Sequence, residues 1–269
     1  MRLLTLEQLE PVQDWYIANP YVKTGYRPVQ SPWQAFLSMF QWHNETLSIY
    51  THFLPGLVWL WMFCTCTTEE YYTHSSSSTQ AVIRFAYFGG ACLGLTSGFA
   101  HTFHIVNRQW AALCWKLDYS SIIIINLSHQ LFDTVLLFSW HPMICQFMFT
   151  VECMFAIFCI KNILTDAAYQ WGIIYPLISS TVLTVPVVIV AYSQQSAYFQ
   201  YVALCSLGCS VCIVLAGSLF YVGKVPERFW NPGYIFDTVN SHVWHHVLIV
   251  LSIMIAFHGT RYVHMIETK

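Results

Sequence analysis

Three short pieces, far apart in the chain, each place an ionisable or metal-binding residue in an otherwise apolar stretch. They are Ser97-Gly-Phe-Ala-His101, Leu117-Asp118-Tyr119 and Ser241-His242-Val-Trp-His245-His246. Histidine and aspartate are costly in a bilayer and normally mark function there. His242 and His246 stand at i and i+4, so on a helix they project from one face and can hold one metal ion. His101 can supply a third nitrogen from another helix. Three histidines leave a fourth tetrahedral position for water, the arrangement of catalytic zinc, and zinc lowers the pKa of such a water to about 7. Asp118 can position that water and serve as general base. Ser97, one turn before His101, can anchor Asp118 or hydrogen-bond a substrate carbonyl. The plain alternative for any one of these histidines is a structural pairing with a carbonyl or carboxylate. His104 and His245 stand beside the proposed ligands and are expected to face elsewhere.

The elements that carry these residues must be membrane helices. The 269-residue chain is 56% hydrophobic and 9% charged, whereas soluble domains carry about 25% charged residues. Its net charge of −2, with no polybasic run, leaves no footprint for nucleic acid. Residues 1–40 contain no secretory signal peptide, so the first span is expected to direct its own insertion. Ten cysteines lie almost entirely in apolar stretches and are expected to be small buried fillers, not a disulfide framework.

A spanning helix needs about 20 mostly apolar residues. Seven stretches qualify, near 45–66, 81–106, 117–140, 143–163, 172–192, 199–222 and 240–263. With the N-terminus cytoplasmic, eight basic residues fall inside (Arg2, Lys23, Arg27, Arg108, Lys116, Lys161, Lys224, Arg228) and three outside (Arg84, Arg261, Lys269). The positive-inside rule therefore favours that orientation. The expectation is an all-α membrane protein, a seven-transmembrane helix bundle with its C-terminus extracellular or lumenal. Residues 1–40 form a cytoplasmic segment, either a short interfacial helix or a flexible tail, and residues 41–269 form the membrane domain. Span direction then puts His101, Asp118 (at the start of the third span), His242 and His246 in the cytoplasmic leaflet.

Other polar residues have plainer expectations. His129, Asp133 and Glu152 form a second cluster toward the outer half, expected to be a buried histidine–carboxylate pairing between helices. Trp59, Trp61, Trp110, Trp115 and Trp140 fall near span ends, as interface belts do. Lys224, Glu227 and Arg228 are expected to form a solvated ion cluster.

Six pieces together resemble the progestin and adipoQ receptor family, which includes the adiponectin receptors. They are Asn19-Pro-Tyr-Val-Lys-Thr-Gly-Tyr-Arg27, His43-Asn-Glu-Thr-Leu-Ser-Ile-Tyr-Thr-His52, Ser97-xxx-His101, Leu117-Asp118-Tyr119, Lys224-Val-Pro-Glu-Arg228 and Ser241-His-xxx-His246. Their order and spacing carry the resemblance. It implies zinc (Zn2+) held by His101, His242 and His246, with Asp118 and Ser97 in the site. It also implies a receptor of lipid metabolism and signalling that hydrolyses a lipid amide, as a zinc-dependent ceramidase does. The alternative is a non-catalytic receptor or scaffold with a structural zinc. Implied partners are a membrane lipid (ceramide or fatty acid) and an extracellular protein or steroid ligand, at the plasma membrane or an endomembrane (ER or Golgi). Ser121 and Ser48 stand where glycine and asparagine are usual, and His245 is an additional histidine; no ligand is lost.

Overall fold

The computed structural model describes residues 1–9, 15–16, 19–68, 70–138, 141–165, 197–233 and 235–267. Among them no strand forms, and one isolated bridge joins Leu4 to Tyr26. The helices are α1 (Leu6–Leu9), α2 (Pro32–Ser38), α3 (Thr46–Thr65), α4 (Glu70–Thr73), α5 (Ser77–Phe103), α6 (Arg108–Phe138), α7 (Pro142–Leu164), α8 (Ala197–Gly223), α9 (Ile235–Thr238) and α10 (Ser241–Glu267). By length and composition α3, α5, α7 and residues Ser241–Tyr262 of α10 can each cross a membrane, and α8 contributes a shorter apolar stretch, Gly208–Gly223. This is a helical integral membrane protein. The expected span at 172–192 and Trp140 lie outside the described residues.

The third expected span begins too late. The Asn107 side chain accepts from the Trp110 N–H at 2.9 Å, a helix N-cap, and α6 starts at Arg108. Arg108, Gln109 and Lys116 make this first stretch too polar to read as a span. Asp118 therefore lies ten residues into the helix, roughly 15 Å from its start, and not at the helix end.

The chain forms two compact units. The first comprises Met1–Leu54, Gly94–Asp118 and Val211–Ser252. Three buried charged side chains organise it. Arg27, 1% exposed, donates to the Ser38 hydroxyl at 2.8 Å and to the carbonyls of Thr102 and His101 at 3.0 and 2.6 Å. It thereby satisfies the last carbonyls of α5, which have no donor within the helix. Asp237 accepts from the backbone N–H groups of Lys23 and Thr24 at 2.9 and 3.1 Å and from Asn231 at 2.8 Å. Glu227 accepts from Asn19 at 2.8 Å and from both the backbone N–H (2.8 Å) and the hydroxyl of Ser241. Glu227 is thus buried and bonded at the start of α10, not solvated. Gly25 adopts φ +86°, and a Cβ there would meet the Asn44 backbone nitrogen at 3.1 Å, so both conformation and space require glycine.

At the N-terminus, α1 is a single turn that buries Leu9 against Val22 and Tyr26. The exposed aromatics are instead Trp33, Phe36 and Phe40, on and just beyond α2. A capping box between Ser31 and Gln34, with Pro32 in its first turn, starts that helix.

The second unit comprises Pro55–Leu93, Tyr119–Ser210 and Ile253–Lys269. Its core is aromatic: Trp59, Tyr87, Phe132 and Phe257 pack together. Trp59 is 5% exposed, so it is a core residue and not part of an interface belt. The Trp59 indole lies where a Cβ of Gly90 would be; only glycine permits that approach. No disulfide forms among the described residues. Cys66, Cys114 and Cys159 are buried fillers as expected, whereas Cys64, Cys205, Cys209 and Cys212 are exposed on helix surfaces. The last two are spaced as CxxC, yet form no disulfide.

Arg27 generates a test. Arg27→Met leaves two helix-end carbonyls and Ser38 without their donor and should cost about 3 kcal/mol or more, read as a lower unfolding temperature in detergent. Arg27→Lys should recover only part of that loss, because one ammonium cannot reproduce the planar fork.

Candidate metal centre

The three expected ligands arise from two helix ends, each fastened by residues distant in sequence. His101 lies in the last turn of α5, and the carbonyls of that turn are held by Arg27. His242 and His246 lie in the first two turns of α10. Asn240 caps this helix: its side-chain oxygen accepts from the backbone N–H groups of His242 and Val243 at 3.0 and 3.4 Å. The Glu227 carboxylate on Ser241 adds negative charge where the helix dipole is positive.

These ends bring the imidazoles together. Ring centroids of His101 stand 5.0 Å from His242 and 5.1 Å from His246, and those of His242 and His246 stand 4.3 Å apart. One nitrogen from each ring lies within 4.8 Å of the others, so a single ion can touch all three.

The hydrogen bonds decide which nitrogens are offered. His101 Nδ1 lies 2.9 Å from the Glu45 carboxylate. A carboxylate only accepts, so Nδ1 carries a proton, and in the neutral ring Nε2 is the nitrogen with the free lone pair. That Nε2 is buried with no hydrogen-bond partner, a costly state that a metal ion would relieve. The Thr51 hydroxyl donates to the Leu47 carbonyl at 2.7 Å and lies 3.3 Å from His246 Nδ1. Its proton is already used, so it accepts from His246, which likewise offers Nε2. A histidine whose far nitrogen is bonded to a carboxylate or hydroxyl is the usual support for a metal ligand. The residues fit a metal.

Asp118 is buried, hydrogen-bonded to Ser97, and within electrostatic range of His101. Ser97 and Asp118 therefore meet each other beside the histidines, and Asp118 is not among the nitrogen donors that converge. His104 bonds the Ala100 carbonyl at 3.0 Å and packs on Trp115, and His245 packs on Tyr221. Neither joins the cluster, as expected.

Sequence inspection missed Glu45, Thr51 and His52 as parts of the site. The His52 ring lies 3.9 Å from that of His246. The available signal was polarity: Glu45 is an acid at the threshold of the first span, and Thr51 and His52 lie within it. Glu45 is held in turn by Tyr16, whose hydroxyl donates at 3.3 Å. Outside the spans, burial and the Glu45 charge hold the Tyr16 hydroxyl well above its ordinary pKa, so it stays a donor.

Glu45→Gln keeps all three ligands and removes the charged support. It should weaken metal affinity about 10–100-fold, measured by chelator competition on purified protein. Unchanged affinity would show that the Glu45–His101 contact does not tune the ligand.

A sequence profile of the haemolysin-III related family matches residues 40–257. The chain is 25% identical to heptahelical transmembrane protein 3 of Arabidopsis thaliana, over 92% of this chain and 84% of that protein. It is 26% identical to the adiponectin receptor protein of Drosophila melanogaster, over 91% of this chain and 56% of that protein. It is also 26% identical to membrane progestin receptor gamma of Mus musculus, over 85% and 72% respectively. The fly receptor is thus matched over little more than half its length. The match over residues 40–257 includes every histidine of the cluster, and the chain belongs to the haemolysin-III related family, the progestin and adipoQ receptor proteins that its sequence resembles.

Proposed function

We propose that this chain is a zinc-holding receptor-type membrane protein of lipid metabolism that hydrolyses a lipid amide of the ceramide class. The observation that supports it most is the convergence of three imidazole nitrogens beside a buried Asp118–Ser97 pair. His101, His242 and His246 would hold the ion. Zinc bound there supplies a Lewis acid and brings the pKa of a water to about 7. Asp118 takes the proton from the attacking water and returns it to the leaving amine. Ser97 aligns the Asp118 carboxylate. Glu45 and Thr51 hold the imidazoles in one tautomer throughout. The basic-residue bias supports a cytoplasmic N-terminus, with residues 1–40 preceding a membrane domain at 41–269 and the site in the cytoplasmic leaflet. The receptor role is taken from the names of the adiponectin and progestin relatives, as is the pairing with a protein or steroid ligand.

Three measurements on purified protein test this proposal. Metal analysis should find about one zinc per chain. Ceramide should be cleaved to fatty acid, and Asp118→Ala should lower turnover by at least about 100-fold while zinc stays bound. His246→Ala should lose zinc. If no amide is cleaved and His246→Ala alone strongly destabilises the protein, the zinc is a structural staple and the hydrolase assignment fails.

A further inference from the structure

The second unit contains a polar cluster that the histidine centre does not use. Gln130 and Asp133 belong to α6, Glu152 to α7 and Thr260 to α10. Helices α6 and α7 pack through Ile123 and Leu127 against Phe155, Ala156 and Cys159. On both helices this stripe continues one turn further, to Gln130 on α6 and Glu152 on α7. Beyond it, the Cys145 thiol donates to the Phe138 carbonyl at 3.0 Å, which fixes the same antiparallel register at the far end. Gln130 and Glu152 thus face one another. Asp133 interacts electrostatically with Glu152 and takes a hydrogen bond from Thr260.

Hydrogen-bond accounting at this cluster does not close. Gln130 is 8% exposed and Glu152 1%. Both Gln130 Oε1 and Nε2, together with Glu152 Oε2, have no hydrogen-bond partner among the described residues. Buried polar atoms left unmet cost free energy and are rare in native proteins. Among the described residues no lysine or arginine pairs with Asp133 or Glu152, although buried charges require partners. Two carboxyl groups at close range do not both ionise readily, and when one of them is ionised the pair carries a single negative charge. The neighbouring His129 makes no hydrogen bond to these carboxyls: its Nδ1 donates to the Ile125 carbonyl at 3.0 Å, its ring packs edge-on to Trp59 and Phe257, and its buried Nε2 has no partner among the described residues. The groups that converge are two carboxyls, a carboxamide and a hydroxyl, an oxygen set that suits a hard cation.

We propose that Gln130, Asp133, Glu152 and Thr260 form a binding site for a monovalent hard cation, sodium, within the membrane-spanning part of the second unit. Its single positive charge matches the one negative charge that the carboxyl pair carries when one member is ionised, and Gln130 Oε1 and Glu152 Oε2 supply oxygen atoms that have no hydrogen-bond partner among the described residues. This replaces the expected histidine–carboxylate pairing, because His129 bonds backbone and not Asp133.

Thermal unfolding of the purified full-length chain in detergent tests it. NaCl, KCl and N-methylglucamine chloride are compared at equal ionic strength and pH. Sodium at tenfold excess over its Kd should raise Tm by on the order of 3 °C, and Glu152→Gln and Gln130→Leu should each abolish that difference. Equal Tm in all three salts for the unsubstituted protein would overturn the proposal. So would a sodium shift that persists in both variants, or a stability that responds to pH and not to the cation.

Discussion

A helix that ends inside protein leaves its last carbonyls without donors, and at the end of α5 those carbonyls belong to the turn that presents His101. Arg27 meets that deficit with two backbone bonds and one to Ser38. A guanidinium suits this place because its planar fork reaches several oxygens at once. Burial lowers the Arg27 pKa, and the Glu45 charge acts against that shift. Glu45 therefore serves two groups, drawing on Arg27 through space and accepting from His101 directly. The centre rests on this small electrostatic assembly, in which each buried charge makes another tolerable.

The opposite problem arises at α10, whose first N–H groups need acceptors. Asn240 and Glu227 provide them, and Glu227 comes from a loop that also holds Asn19. Segments near residues 19–27 and 224–240 are thus drawn together through Glu227 and Asp237. His242 and His246 project from a helix whose start cannot slide without breaking those bonds. A metal site gains from such support, since ligands held in advance need not be ordered when the ion binds.

The two units solve burial differently. The first encloses charge and satisfies it residue by residue. The second relies on aromatic packing and on glycine, as where Trp59 lies against Gly90. Against that apolar background the oxygen cluster at Gln130, Asp133 and Glu152 stands out, because nothing in the packing of the unit's described residues requires it.

Composition and hydropathy determined the membrane class and the bounds of most long helices, since apolar length is a property of local sequence. The i, i+4 spacing of His242 and His246 determined that one helix face would carry two ligands. Six ordered pieces were enough to indicate the family. Tertiary structure decided what spacing could not. Thr51 on α3 and Glu45 in the turn before it became supports only when that segment met α5 and α10, and polarity alone gave no reason to prefer them over other acids and hydroxyls. Glu227 looked like a solvated charge, and Arg27 counted only as one more cytoplasmic basic residue, because a linear chain does not show which helix ends lack partners. The start of α6 was hidden for a related reason: Asn107 caps a polar first stretch, and apolar content marks where a helix meets lipid, not where its hydrogen bonds begin.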